Sequence, residues 1–375
     1  MSRLSGPVLI LPNISNDATT LDDLLSRFNY YGSEVFKSSH GEIKSLNIVA
    51  AGFPHDFSSQ NYDKYLYLSI VALPNRKITF LINLRKILKS NTNSISMVIA
   101  GDPWLGYLLS FLAAVGTNLP VQVSIHGEPY HSTNLFADFT ATLKHLWLKM
   151  FLQFADSVRL VSDHQIRPII ENYRVDPGHI SISPIPIKIP KSGTFAIKKG
   201  RKIAFVGRLH KERGIDLWIH IVSRLFEERQ DFSVVIVGDG PERNNFETQL
   251  LASCSGISYK FLGKITKSDV EELWDDVSIL LSTAPTESYG LTLREAQMSG
   301  VYVVALENEG TLANSAIFTS GIFLFSSTES AVQLMSHYLD LGKSNSNQEK
   351  FRKIQSELNS TYLSNLIASW RTPKY

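Results

Sequence analysis

Two doubly wound α/β domains joined by a proline-rich linker are predicted for this chain of 375 residues, on three observations. Short apolar runs rich in Val, Ile and Phe alternate with longer amphipathic stretches, the pattern of parallel strands covered on both faces by helices. The alternation occurs twice, in halves of similar size. Between them Pro184, Pro186 and Pro190 prevent any helix or central strand, and the basic run Lys198-Lys199-Gly200-Arg201-Lys202 follows, read as a solvated turn.

In the first half, Val8–Leu11, Leu46–Ala50, Met97–Ala100, Val121–Ile125, Val158–Val161 and Ile180–Ile182 read as buried strands. Helical patterns cover Leu21–Tyr31, Ile78–Lys89 and Leu105–Val115, and the aromatic cluster Trp147–Phe154 reads as helix core. In the second half the strands are Lys202–Val206, Ser233–Val237, Ser258–Phe261, Ile279–Ser282, Tyr302–Ala305 and Ile322–Phe325. Helices are expected over Asp216–Glu228, Glu242–Ala252, Lys267–Asp275, Leu291–Ser299 and Thr328–Leu341. The domains are drawn at residues 1–187 and 195–359. Beyond a polar stretch, Tyr362, Leu366 and Trp370 recur at helical spacing and make one apolar stripe.

Composition excludes several classes. The chain carries 37 Lys+Arg against 35 Asp+Glu, a net charge of +2, without the basic excess of a dedicated nucleic-acid binder. With 43% hydrophobic and 10% aromatic residues it fills ordinary cores, so disorder is not its dominant state. The single cysteine, Cys254, rules out an internal disulfide framework and a multi-cysteine zinc site, and fits a reducing compartment. The apolar run ending at Pro12 is too short for a signal peptide, and Tyr107–Val115 falls far short of the roughly 20 residues that span a bilayer. A soluble, cytoplasmic protein is expected, with docking at the inner face of a membrane left open and the oligomeric state unread.

The chemistry concentrates at strand-to-helix turns. Pro285-Thr286-Glu287-Ser288-Tyr289-Gly290-Leu291-Thr292-Leu293-Arg294-Glu295 follows a strand and opens a helix, where free N–H groups cradle an anion. Carboxylates accept hydrogen bonds from hydroxyls but repel phosphate, so Glu287 and Glu295 suit the sugars on either side of a diphosphate. Val206-Gly207-Arg208-Leu209-His210-Lys211-Glu212-Arg213-Gly214 likewise joins a strand to a helix and offers two cations. No Asp-x-Asp triplet occurs to clamp a divalent metal, and no Gly-x4-Gly-Lys-Ser/Thr loop occurs for phosphoryl transfer.

Taken in order, Gly207-Arg208-Leu209, Val237-Gly238-Asp239-Gly240-Pro241, Phe261-Leu262-Gly263 and the pair Glu287 and Glu295 resemble retaining GT-B glycosyltransferases of the glycogen-synthase-like, glycosyl-group-1 family. The resemblance covers roughly residues 202–325. It implies the GT-B fold: two Rossmann-like domains facing a cleft, with a C-terminal helix over 360–375 crossing back to the first domain. It implies a metal-independent hexosyltransferase of polysaccharide or glycoconjugate synthesis. The nucleotide-diphosphate sugar would be a co-substrate, with no cofactor, and the acceptor a glycan or lipid-linked hydroxyl. By that resemblance Arg208 and Arg213 neutralise the diphosphate, and the amides of Tyr289, Gly290 and Leu291, beside Ser288, meet phosphate. Glu295 holds ribose, Glu287 holds the donor sugar, and Gly263 and Lys264 lie near the base. In the first half, Ser124-Ile125-His126-Gly127-Glu128 is similar to the family segment whose histidine faces the donor sugar, and Ser162 to its strand-end serine. The family's glycine-rich loop after the first strand is replaced by Leu11-Pro12-Asn13-Ile14-Ser15-Asn16-Asp17, which leaves the acceptor class open. A sugar-nucleotide epimerase or hydrolase, or a non-catalytic binding protein, would share the same scaffold.

Overall fold

The computed structural model describes residues 4–14, 18–53, 64–131, 139–187, 189, 201–317, 321–341 and 348–370. Outside them lie linker residues Pro190–Gly193, the run Lys198–Gly200, Ser15–Asp17 of the first loop and the polar stretch Lys343–Asn347. The chain divides into two units, one of Met1–Pro184 with Ser360–Tyr375, the other of Ile185–Asn359.

The first unit is a seven-stranded parallel sheet in the order β3-β2-β1-β4-β5-β6-β7. Its elements in chain order are β1 (Gly6–Leu11), α1 (Ala18–Ser38), β2 (Leu46–Ala51), β3 (Leu68–Leu73), α2 (Lys77–Ser90) and β4 (Ile95–Ala100). Then come α3 (Leu105–Ala114), β5 (Val121–Ile125), α4 (Phe139–Phe151), β6 (Ser157–Leu160), α5 (Ile166–Tyr173) and β7 (Ile180–Ile182). Side chains alternate across the sheet, as strand geometry requires. Val8, Ile10, Val98, Val123 and Leu160 join the core beneath α2, α3 and α4. Leu9, Ile48, Met97 and Ile99 face the opposite core, which contains Leu21, Leu25 and Tyr31 of α1. Several features depart from expectation, among them the eight-residue helix α5, which was not expected because Pro168 interrupts its short helical signal. Strand β3 was not expected, because it is an edge strand whose residues stay half-exposed. The Trp147–Phe154 cluster is only partly core: Trp147 and Phe151 stack at 3.9 Å against it, while Phe154 remains 59% exposed.

The second unit is a six-stranded parallel sheet in the order β10-β9-β8-β11-β12-β13. It runs β8 (Lys202–Val206), α6 (Ile215–Glu228), β9 (Ser233–Val237), α7 (Arg243–Ser253), β10 (Ser258–Gly263), α8 (Lys267–Leu273) and β11 (Ile279–Ser282). It continues with α9 (Leu291–Met298), β12 (Tyr302–Leu306), α10 (Glu309–Ile317), β13 (Ile322–Phe325) and α11 (Thr328–Leu341). Helix α10 was not expected, since its glycine, asparagine and serine weaken the helical signal.

The last helix, α12 (Gln348–Ser369), belongs to both units. Phe351 is buried near Gly321 of the second unit, whereas Leu363, Leu366, Ile367 and Trp370 complete the α1 side of the first. Trp370 stands edge-on to Tyr31 and donates its indole N–H to Gln122 Oε1 at 3.2 Å. The expected stripe holds at Leu366 and Trp370 and widens to Leu363 and Ile367, with Tyr362 half-buried at its edge.

Candidate functional site

Strand order in the second sheet reverses between β8 and β11. Loops leaving these two strands diverge there, at the point where open α/β sheets take ligands. Gly207 follows β8, Gly238 follows β9 and Gly263 ends β10, so the motif glycines occupy three neighbouring strand ends. The Gly207 N–H donates to Val237 O at 3.0 Å and the Gly238 N–H to Gly263 O at 2.8 Å. At Gly238, φ is +129° and an added Cβ would lie 1.8 Å from Gly207 O, so no other residue fits. Lys264, next after Gly263, is exposed.

The loop after β8 carries both cations, differently. Arg208 is exposed and pairs with Glu212. Arg213 is largely covered, and Thr283 on the loop after β11 holds its backbone by donating its hydroxyl to Arg213 O at 3.2 Å and Gly214 O at 2.9 Å. Arg213 Nη1 lies 4.0 Å from Glu287 Oε2. Its Nε is buried and makes no hydrogen bond among the described residues.

Opposite, Glu287 Oε1 accepts the Gly290 N–H at 3.0 Å, and Gly290, at φ +70°, starts α9. Of the three amides expected to meet phosphate, that of Gly290 is therefore already engaged by the glutamate. Ser288 is half-buried, Tyr289 is buried, and Leu291 is the first helical residue. Within α9, Glu295 Oε1 sits 3.3 Å from Lys267 Nζ. Gly207, Arg213, Ser282, Thr283, Glu287 and Thr292 line a recess of about 50 Å³. That admits a small polar group rather than a whole sugar nucleotide, for which pockets of about 300 Å³ and more are usual.

Three supporting residues escaped the sequence reading. Arg294, buried, donates from Nε to Tyr289 O at 3.2 Å and to Asn314 Oδ1 at 2.7 Å, with its guanidinium 4.3 Å from the Tyr289 ring centre. Gly310 lets α10 approach so closely that a Cβ would lie 1.4 Å from Glu287 O. Spacing along the chain gives no sign of contacts made across some twenty residues.

Compared with known proteins, residues 190–354 match the family model described as glycosyl transferases group 1. The whole fold is that of GT-B enzymes. An S. aureus TarM mutant, solved with fondaparinux, alpha-GlcNAc-glycerol and UDP, superposes with a TM-score of 0.71 at 10% identity, covering 98% of this chain and 100% of that one. Anabaena HepE, solved with UDP and glucose, gives 0.67 at 12% identity, covering 98% and 97%. In sequence, the 2-deoxystreptamine glucosyltransferase of Streptomyces kanamyceticus is 26% identical over 132 residues, 35% of this chain. The phosphatidylinositol N-acetylglucosaminyltransferase gpi3 subunit of Schizosaccharomyces pombe is 25% identical over 183 residues, 48% of this chain. The chain spans 34% and 40% of the lengths of these two relatives. All the second-unit residues just described lie within the matched span.

In the first unit, His126 follows β5 with its ring exposed. Surrounding protein first, then the Arg159 and Arg27 guanidiniums, lower its pKa and keep the imidazole neutral, although contact with water limits how far it falls. The following loop is tied down. Gln165 Nε2 donates to Gly127 O at 2.8 Å, and His164 bridges Glu128 Oε1 and the Ser162 hydroxyl, both at 2.8 Å. With Nε2–H directed at the carboxylate, His164 Nδ1 accepts from Ser162. Asp102 accepts the N–H groups of Trp104 and Gly106 and so closes the turn into α3.

Proposed function

We propose that the chain is a retaining glycosyltransferase that moves a sugar from a nucleotide-diphosphate donor to a hydroxyl of a glycan, glycolipid or other acceptor, without a metal ion. One observation carries the reading. The buried Arg213 Nε, lacking a hydrogen-bond partner among the described residues, belongs to a residue that lines a small recess at the switch point beside the start of α9. A buried donor of that kind is costly unless something accepts from it, and a phosphate oxygen does so with charge assistance. A cation and a helix N-terminus beside the recess favour negative charge, offset in part by the Glu287 carboxylate that also lines it.

In this reading Arg213, aided by Arg208, stabilises the departing diphosphate, the electrostatic contribution that usually dominates such reactions. Glu295 grips ribose, Glu287 the donor sugar hydroxyls, and Lys264 the neighbourhood of the base. His126 is assigned a catalytic part on the family resemblance. The acceptor oxygen bonds to the anomeric carbon as the carbon–oxygen bond to diphosphate breaks, and the hydroxyl proton passes to a departing phosphate oxygen on the same face. Similar proteins solved with UDP or named as glucosyl- and N-acetylglucosaminyltransferases support UDP-glucose and UDP-N-acetylglucosamine as first donors. The similarity to a phosphatidylinositol N-acetylglucosaminyltransferase subunit supports a lipid-linked acceptor.

The test incubates the chain with each donor, with and without a lipid-linked or glycan acceptor and with and without EDTA, and follows free nucleotide, donor and product by NMR. Release of nucleoside diphosphate that survives EDTA, with an α-linked product from an α-linked donor, is expected. Conversion of the donor to an epimer without acceptor, or inversion in the product, would overturn the reading.

A further inference from the structure

The sheet face of the first unit covered by α2, α3 and α4 carries an outer surface with an unusual composition. Helix α4 packs Leu148 and Trp147 inward, yet Leu143, Leu146 and Met150 on its outer side, and Phe154 just beyond it, are 49%, 49%, 60% and 59% exposed. Leu112 and Val115 at the end of α3 extend the apolar surface. Helices α3 and α4 touch through Tyr107 and Trp147 and through Phe111 and Phe151, while Arg85 of α2 donates to the carbonyls of Leu112, Ala113 and Val115. The three helices thus present one surface. Their sequences contain Lys77, Arg85, Lys86, Lys89, Lys144 and Lys149 and no acidic residue at all.

We infer that this face docks on an anionic lipid bilayer, with the leucines, Met150 and Phe154 entering the headgroup boundary and the lysines meeting lipid phosphates. Exposed apolar residues on helices that carry cations and no acids are the composition that binds membrane interfaces rather than spanning them, and among the described residues no helix is long and apolar enough to cross a membrane. A second copy of this chain is disfavoured as the occupant: a two-fold interface would set lysines against lysines with no acid to answer them. Each cation near an anionic surface strengthens partitioning about fivefold.

The full chain is mixed with vesicles of phosphatidylcholine, alone or with about one-third phosphatidylglycerol, and sedimented. Binding to the anionic vesicles only is expected. The combined variant Lys86→Glu, Lys89→Glu, Lys144→Glu and Lys149→Glu should lower partitioning more than a hundredfold. Leu146→Ser with Met150→Ser and Phe154→Ser should abolish binding at raised salt, with unchanged circular dichroism in both variants. No binding by the parent chain, or equal binding by the variants, would overturn the inference. So would a dimer in solution that the serine variant converts to monomer, for then a second copy occupies the face. None of these outcomes depends on sugar transfer.

Discussion

Arg213 Nη1 lies 4.0 Å from Glu287 Oε2, so an ion pair joins the Thr283 hydrogen bonds in tying the loop after β8 to the loop after β11. The two strands are neighbours in the sheet, and the pair spans the point where the chain order reverses. A cation already balanced by a carboxylate enters the binding reaction pre-positioned, and a diphosphate competes for it rather than ordering it from solution.

Burial separates the two arginines. Arg213→Ala removes a covered guanidinium from the proposed phosphate position, a contact worth about 1.5–3 kcal/mol, so affinity for UDP should fall tenfold or more. The Arg208 side chain is 71% exposed and shared with Glu212, so Arg208→Ala should cost less. Calorimetry on both variants, with folding followed by circular dichroism, checks the order; the reverse order would contradict the placement.

The glutamates should separate by ligand. Glu295→Gln weakens free UDP as well as the intact donor if Glu295 meets ribose. Glu287→Gln retains an acceptor for the Gly290 N–H and should spare free UDP while lowering turnover. Equal losses of UDP affinity in the two variants would refute the division.

Gly310→Ala forces a methyl group onto the Glu287 carbonyl, and overpacking of this kind costs about 1–3 kcal/mol. A lower melting temperature is expected, together with weaker donor binding, because the displaced backbone carries Glu287, the residue proposed to meet the donor sugar. Loss of stability with donor affinity unchanged would show that α10 supports only the fold.

Trp370→Ala deletes a side chain only 4% exposed and leaves Gln122 Oε1 without its indole donor. About 3–5 kcal/mol of stability should be lost. Chemical denaturation measures it, and a loss under 1 kcal/mol would mean that the end of α12 is not held as described.

His126 should contribute to acid sensitivity. Its folded-state pKa is depressed, by crowding first and then by Arg159 and Arg27, while the unfolded chain takes up a proton near 6.5. Above that pH both states are neutral and the residue contributes nothing. As pH falls below about 6.5 the unfolded state gains the proton first, so stability declines. Melting temperatures of the parent and His126→Asn should coincide at pH 8 and diverge below pH 6, with the variant falling less. Parallel curves would exclude this titration.

What could be read from the chain followed from local physics. Strands such as Val121–Ile125 and Ile322–Phe325 are short apolar runs bounded by turns, and Gly238 and Gly240 mark a strand end where no side chain fits. Edge strand β3 and helix α10 were not legible, since one is only half-buried and the other is rich in weak helix formers. Within the site, Arg213 and Glu287 were legible as residue types at turns, but their pairing was not. Arg294, Asn314 and Gly310 act through contacts formed only when distant segments meet, and nothing in their immediate neighbours announces that.

The division of α12 also sets an order of assembly. Leu363, Leu366, Ile367 and Trp370 fill the α1 side of a unit whose other elements precede Pro184, so the part of the protein synthesised first is finished last. While a ribosome makes the intervening residues, the surface around Leu9, Ile48, Tyr31 and Met97 lacks its cover. The emerging chain therefore carries an open apolar trough until residues 363–370 are made, a natural point of engagement for chaperones and a hazard for premature association.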